Sequence, residues 1–567
     1  MKKIKYIAGI WILFFLVGMV SCESDKDFLK EKPETFYTVD NAFSTSAQVD
    51  QVLVSIYSHL RNLWANPDES GWIFVFRGNG TDMFDIPSIR KSNTFNNYGL
   101  INPDNTNFYE NYSTWYYVIS RANLALYNAE LPQIAWSSAA EKSYAVAQAR
   151  FFRAFAYRNL AELFGGVPIV TDISTTPKFD FKRKTRVATY QFAITEMEAI
   201  EGDLPETTAI GGRLVKGACQ HNLSELYLAM GTQLVADSKA SEATAAFAKS
   251  ITFANKVIDG GTYSLMQTRF GSRKTEAQGN VYWDLFQENN VNYQDGNKEC
   301  IWGLQVDYAA YKAEDKRSKL PYSRTYGPVF RNGAPTHLTG TLEDVGGRGI
   351  SQIMPTMYTR DGIYTDKWAS DMRNSEIVLR RIFLGNVKTS PYYGIPVPWD
   401  VLYNNADNKS LDYPVSCKIA TDKYTGLADG ENMSNLFRDD YFIRLPETIL
   451  LRAEAKQRSG DKAGAAADIN LLRSRAQCTY LVTAGDMDDN FNTILDERSR
   501  ELVYEECRWN TLLRMGGTIA VDRIKKYAYW PEAAATLTFN YNLWPIPQTV
   551  IDTNKDEKLD QNPGWTR

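Results

Sequence analysis

Side chains able to carry out catalysis are sparse in this 567-residue chain. The three histidines, His59, His221 and His337, are far apart, and the chain has no HExxH motif and no CxxC pair. A zinc site draws such ligands together at short, recurring spacings. A GxSxG nucleophile elbow and a Walker phosphate loop are also absent from the sequence. These observations predict a protein that is not an enzyme and that uses no metal and no cofactor.

One segment has part of the spacing of a calcium loop. Asp552, Asn554, Asp556 and Asp560 occupy the first, third, fifth and ninth positions of such a loop. The twelfth position is Pro563, so the bidentate glutamate that closes a calcium loop is missing. We interpret this segment as a solvated turn.

The clearest sequence signal for a chemical modification lies at Cys22. A lysine-rich start precedes an apolar run over residues 7–17, and Ser21 stands directly before the cysteine. This order is typical of a secretory signal, and the run is shorter than the ~20 residues of a membrane span. The site resembles a bacterial lipobox, which predicts a signal peptide over residues 1–21 and a lipid on Cys22. Several acyl chains on one residue anchor a protein stably. Residues 22–36 would form an acidic tether of the kind that directs lipoproteins to the cell exterior.

Composition narrows the function further. Removing the signal peptide takes away three lysines and no acids, so the net charge falls from -4 to -7. A mildly acidic chain without a basic block argues against nucleic acid as a partner. Aromatic residues make up 13% of the chain, with 13 Trp and 33 Tyr. Flat rings with polar tips are what a sugar-binding surface needs, because they pack against the apolar face of a pyranose.

Helical signals form two blocks, mainly over 112–260 and 440–530. In the first block the pattern predicts a helix over residues 139–164, because Phe151, Phe155 and their neighbours recur at helical spacing before a Gly-Gly-x-Pro stop. A second helical stretch is predicted over about 189–204. In the second block, two alanine-rich helical stretches flank Gly460-Asp461, which has the texture of a tetratricopeptide hairpin. Such hairpins stack and bury each other's faces. The sequence therefore predicts a mainly α fold, with one body over residues 37–567.

Two segments, 62–111 and 261–439, lack this helical pattern. Gly, Pro, Asn, Asp and Tyr are frequent in them, with short β-like runs such as residues 300–306. Long irregular segments in compact proteins are usually functional. We expect both segments to leave the helical scaffold and to build one ligand-binding surface together.

The order of several motifs resembles the SusD/RagB family of nutrient-binding lipoproteins. The motifs are YSTWYYVISRANLALYNAE (112–130), ARFFRAFAYRNLAELFGGVPIV (149–170), RLPETILLRAEAKQRSGDKAGAAADINLLRSRA (444–476), ILDERSRELVYEECRWNTLLRMG (494–516) and LWPIPQTVIDTN followed by LDQNPGW (543–565). Their charged residues alternate in sign along helices, which predicts salt bridges in helix packing rather than chemistry.

The resemblance implies a fold and a biological role. Family members have tetratricopeptide-like helical hairpins that support an irregular ligand face. They are lipid-anchored at the outside of the outer membrane, above a SusC-like TonB-dependent β-barrel transporter. They bind an oligosaccharide, or a peptide in some branches, and deliver it to that transporter without catalysis.

Candidate ligand-binding residues come from the irregular segments. They are Trp72, Arg77, Asp82 and Tyr98 from the first segment and Trp283, Tyr293 and Tyr322 from the second. We expect the aromatic rings to stack on sugars, while Arg77 and Asp82 hydrogen-bond hydroxyl groups.

Three alternatives remain open at this point. The protein could be a peptide-binding member of the same family. It could be a surface glycoside hydrolase or esterase, since 67 acidic residues offer many carboxylate pairs and only geometry selects one. It could also be an assembly protein that binds no small ligand.

Overall fold

The structure is a computed structural model of the full chain. It describes residues 43–65, 78–90, 97–174, 176–313, 315–339, 347–423, 425–426, 434–537 and 542–565. The statements below concern these residues.

Long helices form the scaffold in two blocks, as the sequence pattern predicts. The first block contains α1 (Ser46–Ala65), α2 (Thr106–Ala129), α3 (Ala139–Phe164), α4 (Arg186–Glu198), α5 (Lys216–Ala236) and α6 (Ala240–Ile258). Between the two blocks lie the short helices α7 (Val281–Asp284), α8 (Tyr308–Lys312), α9 (Tyr322–Tyr326), α10 (Phe330–Gly333), α11 (Met357–Arg360), α12 (Trp399–Leu402) and α13 (Ala406–Leu411). The second block contains α14 (Leu445–Arg458), α15 (Lys462–Arg475), α16 (Asn492–Leu502), α17 (Arg508–Met515), α18 (Ile519–Tyr527), α19 (Pro531–Thr536) and α20 (Gln548–Thr553).

Local sequence explains where the longest helix starts and stops. The Ser138 side chain accepts a hydrogen bond from the Glu141 amide, which caps the start of α3. Gly165 follows the last residue with φ 75°, a conformation that favours glycine and ends the helix. Between these ends α3 is buried for most of its length, because its phenylalanines and alanines pack against α2 and α4.

The helices pair as hairpins of the tetratricopeptide type. Gly460, at φ 87°, forms the turn between α14 and α15, and small buried residues such as Ala465 let these helices approach closely. Helices α5 and α6 pack just as closely, because a β-carbon at Gly231 would lie 2.5 Å from the Phe247 ring. The predicted mainly α fold with tetratricopeptide-like hairpins is confirmed.

The middle of the chain contains only short elements in its described part. Its helices have four to six residues, and its strands are equally short. The strands are β1 (Phe84–Asp85), β2 (Cys300–Leu304), β3 (Met354–Pro355), β4 (Leu379–Arg380), β5 (Val415–Ser416) and β6 (Asp440–Arg444), paired antiparallel as β1–β3, β2–β6 and β4–β5. In the β2–β6 pair, Cys300 lies opposite Arg444, directly before α14, so this pair joins the irregular middle to the second helical block.

A buried group of ions holds the irregular middle to the helices. Arg444 donates to Glu299 and to Glu501, each at 2.7 Å. Arg373 donates to Glu501 at 2.8 Å and to Glu497 at 2.7 Å. All five side chains are almost completely removed from water. We call them the arginine–glutamate cluster. Such charge-assisted bonds are short and strong, and breaking one buried pair costs 3–5 kcal/mol or so.

Charged residues of the sequence motifs also pair between helices, as predicted. Arg153 of α3 donates to Glu196 of α4 at 2.9 Å through Nε. Arg452 of α14 donates to Asp468 of α15 at 2.7 Å. Among the described residues, no helix is both long and apolar enough to cross a membrane.

Candidate functional site

Three of the sequence-predicted site residues lie outside the described residues. Cys22, Trp72 and Arg77 are in this group, and their roles stay predictions. The other four aromatic residues and Asp82 are described, and the structure places them in separate surroundings.

The structure corrects the prediction that Asp82 lies on the ligand face. Its carboxylate is fully buried and accepts hydrogen bonds from Arg508 at 2.8 and 2.6 Å and from Arg523 at 2.9 Å. Burial raises the pKa of Asp82, but the two guanidinium groups outweigh this effect and lower it to about 2. Asp82 therefore links the β1 region to α17 and α18, and its oxygens do not face solvent.

The predicted ligand contacts of Tyr98 and Tyr322 are also corrected, because both side chains are buried. Tyr98 is 3% exposed, and its hydroxyl donates to the Gly80 carbonyl. Tyr322 is 2% exposed, and its hydroxyl donates to Asp440 at 2.6 Å. Both side chains hold short loops onto the core, so neither ring offers a face to a ligand.

Trp283 and Tyr293 lie near each other in sequence but differ in exposure. Trp283 is 4% exposed and packs beneath the guanidinium of Arg273, which is 4.3 Å from the ring centroid. The Trp283 ring therefore fills space in the core, and the prediction that it stacks on a sugar is corrected. Tyr293 is half-buried, with the Lys298 ammonium 3.7 Å from its ring centroid, and it stays a candidate.

A cavity lies beside α1, where the second irregular segment (261–439) meets the helical scaffold, and none of the described residues of the first segment (62–111) is among its lining residues. The cavity has a volume of about 360 Å³, which lies within the range of ~300–1,000 Å³ typical of small-ligand sites. Helix α1 supplies Tyr57 and Arg61, and the chain after β2 supplies Gln305 and Asp315. The remaining lining residues are Val54, Ser58, Gly211, Gly212, Arg213, Gly303, Leu304 and Phe442. We call this the Arg61 cavity.

Hydrogen bonds fix the polar walls of the Arg61 cavity. Arg61 donates to Asp315 at 2.8 Å, which ties α1 to the irregular middle. Tyr57 donates to Gln148 at 2.8 Å and accepts from the Leu214 amide at 3.0 Å. Burial raises the pKa of Tyr57 well above its usual range, so its hydroxyl stays protonated and able to donate.

An aromatic group adjoins this cavity along the chain. Tyr308 and Tyr311, one turn apart on α8, have nearly parallel rings with centroids 6.2 Å apart and an interplanar angle of 19°. Phe437 packs against both rings, at 4.7 and 5.0 Å between centroids. Both tyrosines are half-buried, whereas Phe437 is buried beneath them. We call these three residues the tyrosine platform.

The platform and the cavity are held together by Asp315. Its amide donates to the carbonyl of Ala310 on α8 at 2.9 Å, while its carboxylate binds Arg61. The start of α8 is fixed by Asp307, whose side chain accepts from the Ala309 amide at 2.7 Å. The platform therefore projects from a short helix with both ends restrained, which keeps its rings in a defined orientation.

The arrangement is suited to binding a ring-shaped polar ligand. Half-exposed tyrosines stack on apolar ring faces, and the Arg61 and Gln305 side chains supply hydrogen-bond donors beside them. In the part of the chain that the structure describes, no group of three or more His, Cys, Asp or Glu residues could hold a metal ion.

Sequence reasoning missed the residues of this site. Tyr308 and Tyr311 have the spacing of one helical turn, and Asp307 precedes them as an N-cap. That signal was available in the segment DYAAYK, but it is short and common. The Arg61–Asp315 pair joins positions 254 residues apart, and no local pattern indicates such a contact.

Two family models match this chain over different parts of its length. A model described as "SusD family" matches residues 298–565, and one described as "Starch-binding associating with outer membrane" matches residues 27–228. The chain belongs to the SusD/RagB-like family. One similar SusD relative is the starch-binding protein SusD of Bacteroides thetaiotaomicron, which is 26% identical over 500 residues, covering 80% of this chain and 78% of that protein.

Solved SusD-like structures have the same fold. A SusD homologue from Bacteroides thetaiotaomicron has a TM-score of 0.68 at 17% identity, covering 93% of this chain and 98% of the other. The surface glycan-binding protein A of the same organism, solved in complex with laminarihexaose, has a TM-score of 0.62 at 17% identity, covering 91% of this chain and 99% of the other. At these identities the likeness concerns the fold alone.

Proposed function

We propose that this protein is a non-catalytic receptor that binds an oligosaccharide at the outside of the outer membrane. It is held there by a lipid on Cys22 and delivers its ligand to a SusC-like TonB-dependent β-barrel transporter. The observation that carries this proposal is the tyrosine platform beside the Arg61 cavity. The names of two relatives add support, since one SusD-like protein binds starch and another was solved with laminarihexaose.

The chemistry of the site favours binding over hydrolysis. Glycoside hydrolysis needs two carboxyl groups on either side of the scissile bond, one of them protonated. In the Arg61 cavity the Asp315 carboxylate is neutralised by Arg61, and the nearby Asp307 carboxylate caps α8. These acids are engaged in holding the site together, which is the arrangement expected of a receptor.

A modest affinity follows from the shape of the site. Stacking removes apolar area from water at ~25 cal/mol per Å², and much of that gain offsets the cost of ordering the ligand. We therefore expect dissociation constants in the micromolar range or weaker, which corresponds to about 8 kcal/mol or less. Weak binding suits a protein that must release its ligand to a transporter.

Isothermal titration of residues 23–567 with plant, host and microbial oligosaccharides tests the proposal. Heat of binding without product formation supports it, and Tyr311→Ala should then weaken binding. Release of shorter sugars would establish a hydrolase instead. Heat with peptides but with no oligosaccharide would move the assignment to the peptide-binding branch.

A further inference from the structure

The tyrosine platform is bordered by two lysines, Lys316 and Lys319, that have no anionic partner among the described residues. The Lys316 ammonium is 4.9 Å from the centroid of the Tyr311 ring, and the Lys319 ammonium is 5.9 Å from it. Lys316 also donates to the Tyr311 carbonyl at 3.0 Å, which holds its ammonium over the platform. No described carboxylate lies within salt-bridge distance of either ammonium.

The nearby acids are already engaged. Asp315 binds Arg61 at 2.8 Å and lies 3.8 Å from Arg317. Asp307 accepts hydrogen bonds from two amides at the start of α8. Within the described ranges, these carboxylates therefore leave Lys316 and Lys319 without a compensating anion beside the aromatic rings.

The surroundings of Lys319 agree with an uncompensated positive region. Its side chain is half-buried. Burial, together with the positive charges of Arg324 and Lys316, lowers the pKa of Lys319. A bound anion would remove this like-charge repulsion. Groups perturbed in this way are concentrated at functional sites.

We propose that the tyrosine platform selects an anionic saccharide, one that carries carboxylate or sulfate groups. A sugar ring stacks on Tyr311 while its anionic substituent reaches the Lys316 and Lys319 ammonium groups. This inference rests on the proposed function, because it assigns the class of oligosaccharide that the receptor takes. A saccharide is favoured over an acidic peptide because the cations flank parallel, half-exposed rings rather than an extended groove.

Matched pairs of ligands that differ only in charge test the preference. One pair is an oligogalacturonate and its carboxyl-reduced counterpart, and the other is a sulfated dextran oligosaccharide and unmodified dextran of equal length. We expect the charged member of at least one pair to bind about tenfold more tightly at low salt, and this difference to shrink in ~0.5 M salt because surface charges are screened. A preference within the galacturonate pair indicates carboxylate recognition, and a preference within the dextran pair indicates sulfate recognition.

Lysine variants separate this site from general attraction to a positive surface. Lys316→Met with Lys319→Met should abolish the preference, and Lys316→Met alone should reduce it. Lys525→Met with Lys526→Met, an exposed pair elsewhere, should leave it unchanged. Circular dichroism of each variant confirms folding, and Lys316→Met alone decides the case if the double variant is unfolded.

The outcomes are distinguishable. Equal or tighter binding of the neutral members, a preference that survives in the Lys316 and Lys319 variants, or equal binding of a hexaglutamate peptide would overturn the anionic assignment. If the neutral members still bind, the proposed oligosaccharide receptor stands. If no saccharide of the oligosaccharide panel or of either pair binds, both the anionic assignment and the proposed function fail.

Discussion

Gly333 packs directly against the carboxylate of Asp412, so that a β-carbon at position 333 would lie 2.4 Å from the Oδ2 atom. Neither oxygen of Asp412 has a hydrogen-bond partner among the described residues. Burial raises the pKa of Asp412 to about 8, although the Arg360 charge opposes that shift. The folded protein therefore favours the protonated form of this group.

A pH dependence follows from this raised pKa. Below ~pH 4 the carboxyl is protonated in both states, so its contribution to stability is fully present. As pH rises toward 8 only the unfolded chain ionises, and the free energy of unfolding falls by ~1.4 kcal/mol per pH unit. Asp412→Asn removes this dependence. In urea unfolding, the variant should gain ~2–4 kcal/mol relative to the wild type between pH 5 and pH 8.

The exposed Asp366 provides a control for this comparison. Asp366→Asn should leave the difference between variant and wild type unchanged over the same pH range. Parallel stability curves for Asp412→Asn and the wild type would show that Asp412 is ionised in the folded protein.

Asp82 should be important for stability rather than for binding. Asp82→Asn weakens its bonds to Arg508 and Arg523 and leaves two buried cations short of an anion, which should cost ~3–5 kcal/mol. Chemical denaturation at pH 7 measures this loss. Glu130→Gln, which breaks an exposed pair with Lys142, should change stability by less than ~1 kcal/mol. An equally small effect of Asp82→Asn would mean that the bonds of Asp82 to Arg508 and Arg523 contribute little to stability.

Tyr311 should be important for binding rather than for stability. Tyr311→Ala removes a half-exposed stacking face, and we expect affinity for the oligosaccharide to fall about tenfold, or ~1.4 kcal/mol. Titration calorimetry measures the change. Tyr109→Ala, which removes another exposed tyrosine on α2, is the matched control and should bind normally. Normal binding by Tyr311→Ala would place the ligand elsewhere.

Trp283 should show the opposite behaviour to Tyr311. Its ring is buried, so Trp283→Ala leaves a cavity and should cost ~3–5 kcal/mol of stability. Affinity at temperatures where the variant stays folded should be unchanged. A loss of affinity with little loss of stability would return Trp283 to the ligand face.

Much of the fold could be predicted because it depends on local patterns. The predicted helix over residues 139–164 has these same bounds in the structure, since Ser138 and Gly165 cap it within the sequence itself. The predicted stretch from 189 to 204 is less accurate, because the helix ends at Glu198 and a short 3₁₀ turn follows at Glu201–Asp203. Helical spacing continues through that turn, so sequence periodicity does not show the break.

The site was harder to predict because residue type does not reveal burial. The sequence predicts Asp82 and Tyr322 as ligand contacts because they are a polar and an aromatic residue of irregular segments, but distant partners bury both. Arginines on α17 and α18 enclose Asp82, and Asp440 of β6 takes the Tyr322 hydroxyl. Contacts between residues more than a hundred positions apart decide these cases.

The arginine–glutamate cluster has a consequence for how such a receptor can diversify. Glu299, Arg373 and Arg444 fasten the irregular middle to α16 at a few fixed points. Lengthening a loop between two such points adds little entropic cost. Evolution can therefore exchange or lengthen these loops, and so redirect the receptor to a new nutrient, while the buried ion pairs and the helical scaffold stay the same.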